Sequence, residues 1–147
     1  MQVKDCMSQD VVCVRENATI REVSKLMLDK HIGCVPICDD KKALKGLITD
    51  RDITIRVIAI GKDPDNTKVG EIMTTEVYDI DPESEISEAS KVMCDCQIKR
   101  LPVVENEKVE GIITLGDLAN KRNIAKVDVG NTLKKICNCE GNPKNAQ

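Results

Sequence analysis

The chain has 147 residues, of which 41% are apolar and 32% charged, a balance that fits one globular domain or two small intertwined ones. It excludes a large multidomain enzyme, a fibrous protein and a disordered chain. A net charge of −3, with 25 acids interspersed among 22 bases, offers no broad basic face, and a chain without Phe or Trp lacks the aromatic platforms of single-strand readers, so nucleic acid is not an expected partner.

The first residues, MQVKDCMSQD, lack the apolar stretch of a secretory signal, and no apolar run approaches the ~20 residues of a membrane span. The expectation is a cytoplasmic protein without membrane association, its eight cysteines held as thiols. Val11 to Val14 then reads as a short strand, and Thr19 as the N-cap of a helix whose apolar positions are Ile20, Val23, Leu26 and Met27, with Lys30 at the same spacing. GCVPIC and LKGLIT, joined by the polar turn DDKKA, read as a hairpin. TDRDITIRVIAI renews the helical pattern with Asp52 in its first turn, and residues 61–68 read as a linker. The same series follows again: a strand at Val77 to Ile80, a helix on Ile86, Ala89, Val92 and Met93, a hairpin from RLPVV through ENEK to VEGIIT, and a helix with Asp117 in its first turn. A short helical patch, Val129 to Ile136, precedes a polar tail.

This recurrence is a repeat in the residues themselves. Asp5 to Cys38 aligns with Glu71 to Val104 at a constant offset of 66, with identities at Met7, Val11, Ile20, Glu22, Ser24, Lys25, Met27, Asp29, Ile32 and Pro36. One deletion in the hairpin turn changes the offset to 65, after which Gly46, Ile48, Thr49 and Asp52 meet Gly111, Ile113, Thr114 and Asp117. Two independent amphipathic stretches would match at apolar positions only, whereas here a Pro, a Gly, a Thr and an Asp coincide. The division that follows is a first motif over 1–60, a linker over 61–68, a second motif over 69–126 and a short C-terminal helix and tail over 127–147. The fold class is α/β (α+β), each motif running strand-helix-strand-strand-helix. One three-stranded sheet with two helices has too few layers to bury both faces, so the motifs are expected to pack about a pseudo-twofold axis. An apolar helical face at Ile53, Val57 and Ile60 points to a homodimer.

The doubled pattern of an apolar-Pro-apolar strand followed by G-h-h-T-x-x-D resembles a tandem pair of CBS domains, a Bateman module, over Val3 to Arg122. The resemblance implies a regulatory module that binds an adenosine-containing ligand such as AMP, ADP, ATP or S-adenosylmethionine and signals to a protein partner, here unknown, by a change of conformation or assembly. It implies ribose contacts for Asp52 and Asp117, and ribose or phosphate contacts for Thr49 and Thr114. The residues bear on this independently, since a helix N-terminus with a Thr hydroxyl and an Asp carboxylate beside it suits a phosphate and two vicinal hydroxyls. The alternative at the same positions is helix capping alone. The copies differ in cations: Arg51 lies inside the first motif, while Lys99 and Arg100 precede the Leu-Pro of the second, and the two arginines suit bidentate phosphate contact better than the lysine.

Cys13, Cys34 and Cys38 lie in apolar runs, where Cys behaves as a small apolar residue. Cys94 with Cys96, and Cys137 with Cys139, are separated by one residue, shorter than structural zinc pairs, and His31 is the one histidine, so no metal is expected. No triad set and no phosphate-binding G-x-x-x-x-G-K-[ST] loop occurs, so neither an enzyme nor a bound cofactor is expected. Two other readings stay open: a dimerisation or protein-interaction module that needs no ligand, and a thiol- or metal-responsive protein.

Overall fold

The computed structural model describes residues 1–120 and 128–137, so Cys139, the polar tail and positions 121–126 of the second motif lie outside the described residues. The elements are α1 (Ile20–Lys30), β1 (Cys34–Cys38), β2 (Leu44–Thr49), α2 (Asp50–Ile53), α3 (Ile86–Cys96), β3 (Arg100–Glu105), β4 (Lys108–Thr114), α4 (Leu115–Asn120) and α5 (Val129–Cys137). A π-helical turn, Thr54–Ile58, continues α2, and 3₁₀ turns stand at Val3–Asp5 and Val69–Glu71.

The chain forms two compact units, and neither is a contiguous half. One comprises Met1–Asp10, Tyr78–Asn106 and the described residues from Glu110 onward; the other comprises Val11–Val77 with Glu107–Val109. In the second of these, α1 begins where the sequence places it: the Thr19 side chain accepts from the Glu22 amide at 3.1 Å and the Glu22 carboxylate returns to the Thr19 amide at 2.9 Å, a reciprocal cap. Ile20, Val23 and Met27 are buried, Leu26 is half-buried against the same core, and Lys30 is exposed, because its flexible charged end gains nothing from burial. His31, in the left-handed conformation, closes α1, and Gln97 closes α3 in the same way.

Antiparallel β1 and β2 pair from Cys34 with Thr49 to Ile37 with Gly46, after which Cys38 pairs with Leu44. Lys45 is therefore the extra residue of a β-bulge, and the first hairpin turns through the three residues Asp40 to Lys42, Lys42 at φ 63°, closed by the Asp39 amide on the Ala43 carbonyl at 3.0 Å. The second hairpin turns through Asn106 and Glu107, both at positive φ (49° and 66°), the backbone of a two-residue type I′ turn. Each sheet has two strands rather than three. The expected opening strands contribute one parallel bridge each, Val14 with Ile37 and Ile80 with Val103. These runs are too short to extend a ladder before the polar segment that leads to the helix N-terminus begins.

The segment preceding each of these strands is also exchanged between sequence repeats. Val69–Glu71 joins the first repeat, with the Val69 amide on the Ala18 carbonyl at 2.8 Å and Thr74 and Leu47 exchanging both backbone bonds at 2.9 Å. Val3–Asp5 joins the second repeat equivalently, with the Val3 amide on the Ser84 carbonyl at 2.8 Å and Ser8 and Ile112 exchanging bonds at 2.9 and 3.1 Å. The repeated glycine follows from this. A β-carbon on Gly46 would stand 2.6 Å from Met73 Sδ and 2.9 Å from the Thr74 carbonyl oxygen, and one on Gly111 would stand 2.6 Å from Met7 Sδ and 2.8 Å from the Ser8 carbonyl oxygen. Each unit then closes its own aliphatic core, one around Ile20, Val35, Ile37, Ile48, Val57 and Val69, the other around Val3, Met93, Leu101, Val103, Ile113 and Leu118. The second of these cores also takes Ile136 of α5, where the buried hydroxyls of Ser90 and Thr132 meet at 2.8 Å.

Residues 61–68 are held against the start of α1, through the Ile20 amide on the Thr67 carbonyl at 2.9 Å, the Arg21 amide on the Pro64 carbonyl at 3.0 Å and an Arg21–Asp65 ion pair. The apolar face expected at Ile53, Val57 and Ile60 divides differently: Ile53 and Val57 join the core, while Ile55, Ile58 and Ile60 are 50%, 57% and 63% exposed. The wider π turn at Thr54–Ile58 shifts the helical phase, so a strict 3.6-residue count misassigns the faces.

Candidate functional site

Each repeat places its Thr and Asp at the same structural point, where the second hairpin strand passes into a helix. In the first, Thr49 is the last residue of β2 and the N-cap of α2. Its hydroxyl accepts from the Asp52 amide at 3.2 Å, and Oδ2 of Asp52 accepts from the Thr49 amide at 2.9 Å. Both residues are buried, 3% and 6% exposed, which for an Asp requires hydrogen-bonded partners. In the second repeat the Thr114 hydroxyl accepts from the Asp117 amide at 3.1 Å and donates to Oδ2 of Asp117 at 2.8 Å, while the Thr114 amide donates to the same oxygen at 2.7 Å. Capping and the Thr-x-x-Asp arrangement are therefore one geometry.

The start of each hairpin is fastened to the start of the helix that follows it. The Asp50 amide donates to the Gly33 carbonyl at 3.0 Å, and the Leu115 amide donates to the Lys99 carbonyl at 2.9 Å. The backbone thus brings Lys99 and Arg100 alongside Thr114 and Asp117, and Gly33 and Cys34 alongside Thr49 and Asp52. Lys99 is exposed and Arg100 half-buried. Arg51 is exposed on the first turn of α2.

The cation that faces Asp52 is Arg56, which does not stand out in the linear motif. Its Nε lies 3.8 Å from Oδ1 of Asp52, and an amino nitrogen donates to the Ile72 carbonyl at 2.9 Å and to the Thr74 hydroxyl at 3.3 Å. The signal available in the sequence was the four-residue spacing from Asp52 along a helix. A second feature absent from the linear reading is a groove of about 520 Å³ lined by Arg15, Glu16, Asn17, Cys38, Asp39, Asp40, Lys41 and Lys45. Its wall is held by ion pairs of Arg15 with Asp40 and Lys45 with Asp39. Among the described residues, no three or more His, Cys, Asp or Glu side chains gather where they would hold a metal ion, and no helix is long and apolar enough to cross a membrane.

Two hairpin-and-helix repeats, each ending in a Thr–Asp pair at a helix start, define a tandem pair of domains of one type. The CBS domain model matches residues 3–58 and 69–124, and the chain belongs to that family, with two CBS domains in tandem. It is 42% identical over 117 residues to the CBS domain-containing protein YhcV of Bacillus subtilis, covering 80% of this chain and 82% of that one. It is 35% identical over 134 residues to Hypoxic response protein 1 of Mycobacterium tuberculosis, covering 91% and 92%. Among solved structures, Hypoxic Response Protein I with two coordinated zinc ions superposes with a TM-score of 0.75 at 36% identity, over 81% of this chain and 97% of that one. The CBS domain pair of protein MJ0100 in complex with 5′-methylthioadenosine and S-adenosyl-L-methionine superposes with a TM-score of 0.73 at 28% identity, over 81% and 93%.

Proposed function

We propose that this chain is a non-catalytic regulatory module that binds an adenosine-containing ligand of the AMP, ADP, ATP or S-adenosylmethionine class and reports its presence to a protein partner by a change of conformation or assembly. The observation that carries this reading is the duplicated Thr–Asp pair, oriented by reciprocal backbone bonds at Thr49–Asp52, where it is buried, and again at Thr114–Asp117, where it is half-buried. A carboxylate whose Oδ2 is engaged by an amide is held in one orientation, so its remaining acceptor capacity suits a ribose hydroxyl without a further cost of ordering. In this reading Asp52 and Asp117 take the ribose, Thr49 and Thr114 take ribose or phosphate, and Arg51, Lys99 and Arg100 supply phosphate contacts. The methylthioadenosine and S-adenosylmethionine held by the MJ0100 domain pair support the ligand class.

The test is a thermal scan with AMP, ADP, ATP, S-adenosylmethionine and NADH. A ligand confined to the native state stabilises it by RT ln(1 + [L]/Kd), about 2.7 kcal/mol at a hundredfold excess over Kd, which raises Tm by roughly 5–10 °C. An unchanged Tm with all five would remove the reading. Assembly as a homodimer belongs to the same proposal and is favoured by the exposed Ile55, Ile58 and Ile60. Light scattering of a monomer at micromolar concentration would count against it.

A further inference from the structure

We infer that Cys13 and Cys38 are a redox pair, two thiols that close to a disulfide when the protein meets a low-molecular-weight disulfide such as oxidised glutathione. The inference is independent of the nucleotide reading. Cys13 precedes Val14 and Cys38 follows Ile37, and Val14 and Ile37 form the parallel bridge through which the incoming segment meets β1, so the two cysteines stand diagonally across it. Successive residues of extended chain alternate faces, so both cysteines lie on the face opposite Val14 and Ile37, whose own side chains pack on the core. The Val14 amide donates to the Pro36 carbonyl at 3.1 Å and the Cys38 amide to the Val14 carbonyl at 2.9 Å, which clamps the two segments at this point. Each thiol is the largest influence on the other's pKa, which places the two side chains within reach of each other. Cys38, though buried, borders the 520 Å³ groove and stands opposite the bulge at Lys45, while half-buried Cys13 is the thiol that solvent reaches.

The two thiols are not equivalent. Cys38, aided by the charge of Lys42, lowers the pKa of Cys13, while Cys13 and burial raise that of Cys38. Cys13 is half-buried and Cys38 buried. Cys13 is thus the attacking thiolate and Cys38 the resolving thiol. The Cys13 thiolate attacks one sulfur of oxidised glutathione, that S–S bond breaks, and the first glutathione leaves as a thiolate and is protonated. Cys38 then gives up its proton and attacks the Cys13 sulfur, a Cys13–Cys38 bond forms, and the second glutathione leaves and is protonated. The protein loses two hydrogens and two electrons, and the oxidant is reduced to two thiols.

The test uses the full reduced chain, incubated with oxidised glutathione, alkylated, and mapped by trypsin and mass spectrometry without reduction. The expected product joins the peptide Asp5–Arg15 to the peptide His31–Lys41. Fragment ions place the link at Cys13 and Cys38 rather than at Cys6 or Cys34, and a Cys6→Ala/Cys34→Ala chain still forms it. Cys38→Ser should trap a single glutathione on Cys13, whereas Cys13→Ser should leave Cys38 unmodified. The oxidised chain should melt roughly 5–10 °C above the reduced one, a gain reversed by dithiothreitol and absent in either serine variant. Exposed Cys137 reports that the oxidant acted. Glutathione on Cys137 with Cys13 and Cys38 both still open to alkylation overturns the inference, as does a link that fragment ions place on another pair.

Discussion

Thr49 and Asp52 hold each other in place, the amide of each bonded to the side chain of the other at 2.9 and 3.2 Å in a site where both are buried. The pair ends β2, starts α2 and orients one carboxylate, so the proposed binding duty would fall on atoms that already have a structural one.

Asp52→Asn and Asp117→Asn separate the two duties. The carboxamide keeps an acceptor for the Thr amide, so loss of the charge at the helix start should cost about 0.3–1 kcal/mol of stability, read from the denaturant midpoint. Ligand affinity should fall further, by about 1.5–3 kcal/mol for each charge-assisted bond to the ribose. Equal small losses in stability with unaltered affinity would leave only the capping role.

Arg51→Ala and Arg100→Ala address the phosphate. Each should weaken ATP or AMP far more than adenosine, measured by calorimetry, with Tm hardly moved for Arg51, which is exposed. Arg56→Ala should behave differently, because its guanidinium carries bonds to the Ile72 carbonyl and the Thr74 hydroxyl as well as facing Asp52. Stability should drop by about 1–3 kcal/mol through the unpaired groups left behind. Identical loss for adenosine and ATP in the Arg51 and Arg100 variants would exclude those cations from the phosphate.

Gly46→Ala and Gly111→Ala should each destabilise by about 1–3 kcal/mol, because the new methyl meets a backbone carbonyl at 2.9 and 2.8 Å and backbone yields less than a side chain. Gly116→Ala is the contrast. Its β-carbon would meet nothing nearer than 3.5 Å, and in a helix the change should be neutral or gain up to about 1 kcal/mol. Similar urea midpoints for all three would mean that the exchanged segment does not press on the hairpins.

Acid sensitivity should come in part from two turns. Asp39 Oδ1 accepts from the amides of Ala43 and Lys41 at 3.0 and 2.8 Å, and Asp63 accepts from the amide of Asp65 at 2.9 Å and from Asn66. These bonds hold both carboxyls below their ordinary pKa. A folded pKa below the unfolded value means stabilisation that is complete above about pH 4 and is lost as pH falls through the folded pKa. The urea midpoint of Asp39→Asn should accordingly decline less steeply below about pH 4 than that of the parent. An unchanged acid slope would assign the loss to other groups.

Much of this molecule is determined by its sequence alone, wherever the cause is local. The Thr19 cap, the Thr–Asp pairs at the helix starts, the two hairpins and the buried stripes of α1 and α3 all depend on residues within about four positions of each other. Repetition at offsets of 66 and 65 made the local signals mutually supporting. What only the tertiary structure decided are the contacts between segments far apart in the chain. Gly46 and Met73 recur in both repeats, yet their packing against each other appears only once Val69–Glu71 is folded onto the first repeat. The same holds for Arg56 reaching Ile72 and for the opening strands reduced to one bridge each. Periodicity says which face of an element is apolar; which distant segment covers that face is set by the closed core, whose packing no local pattern records.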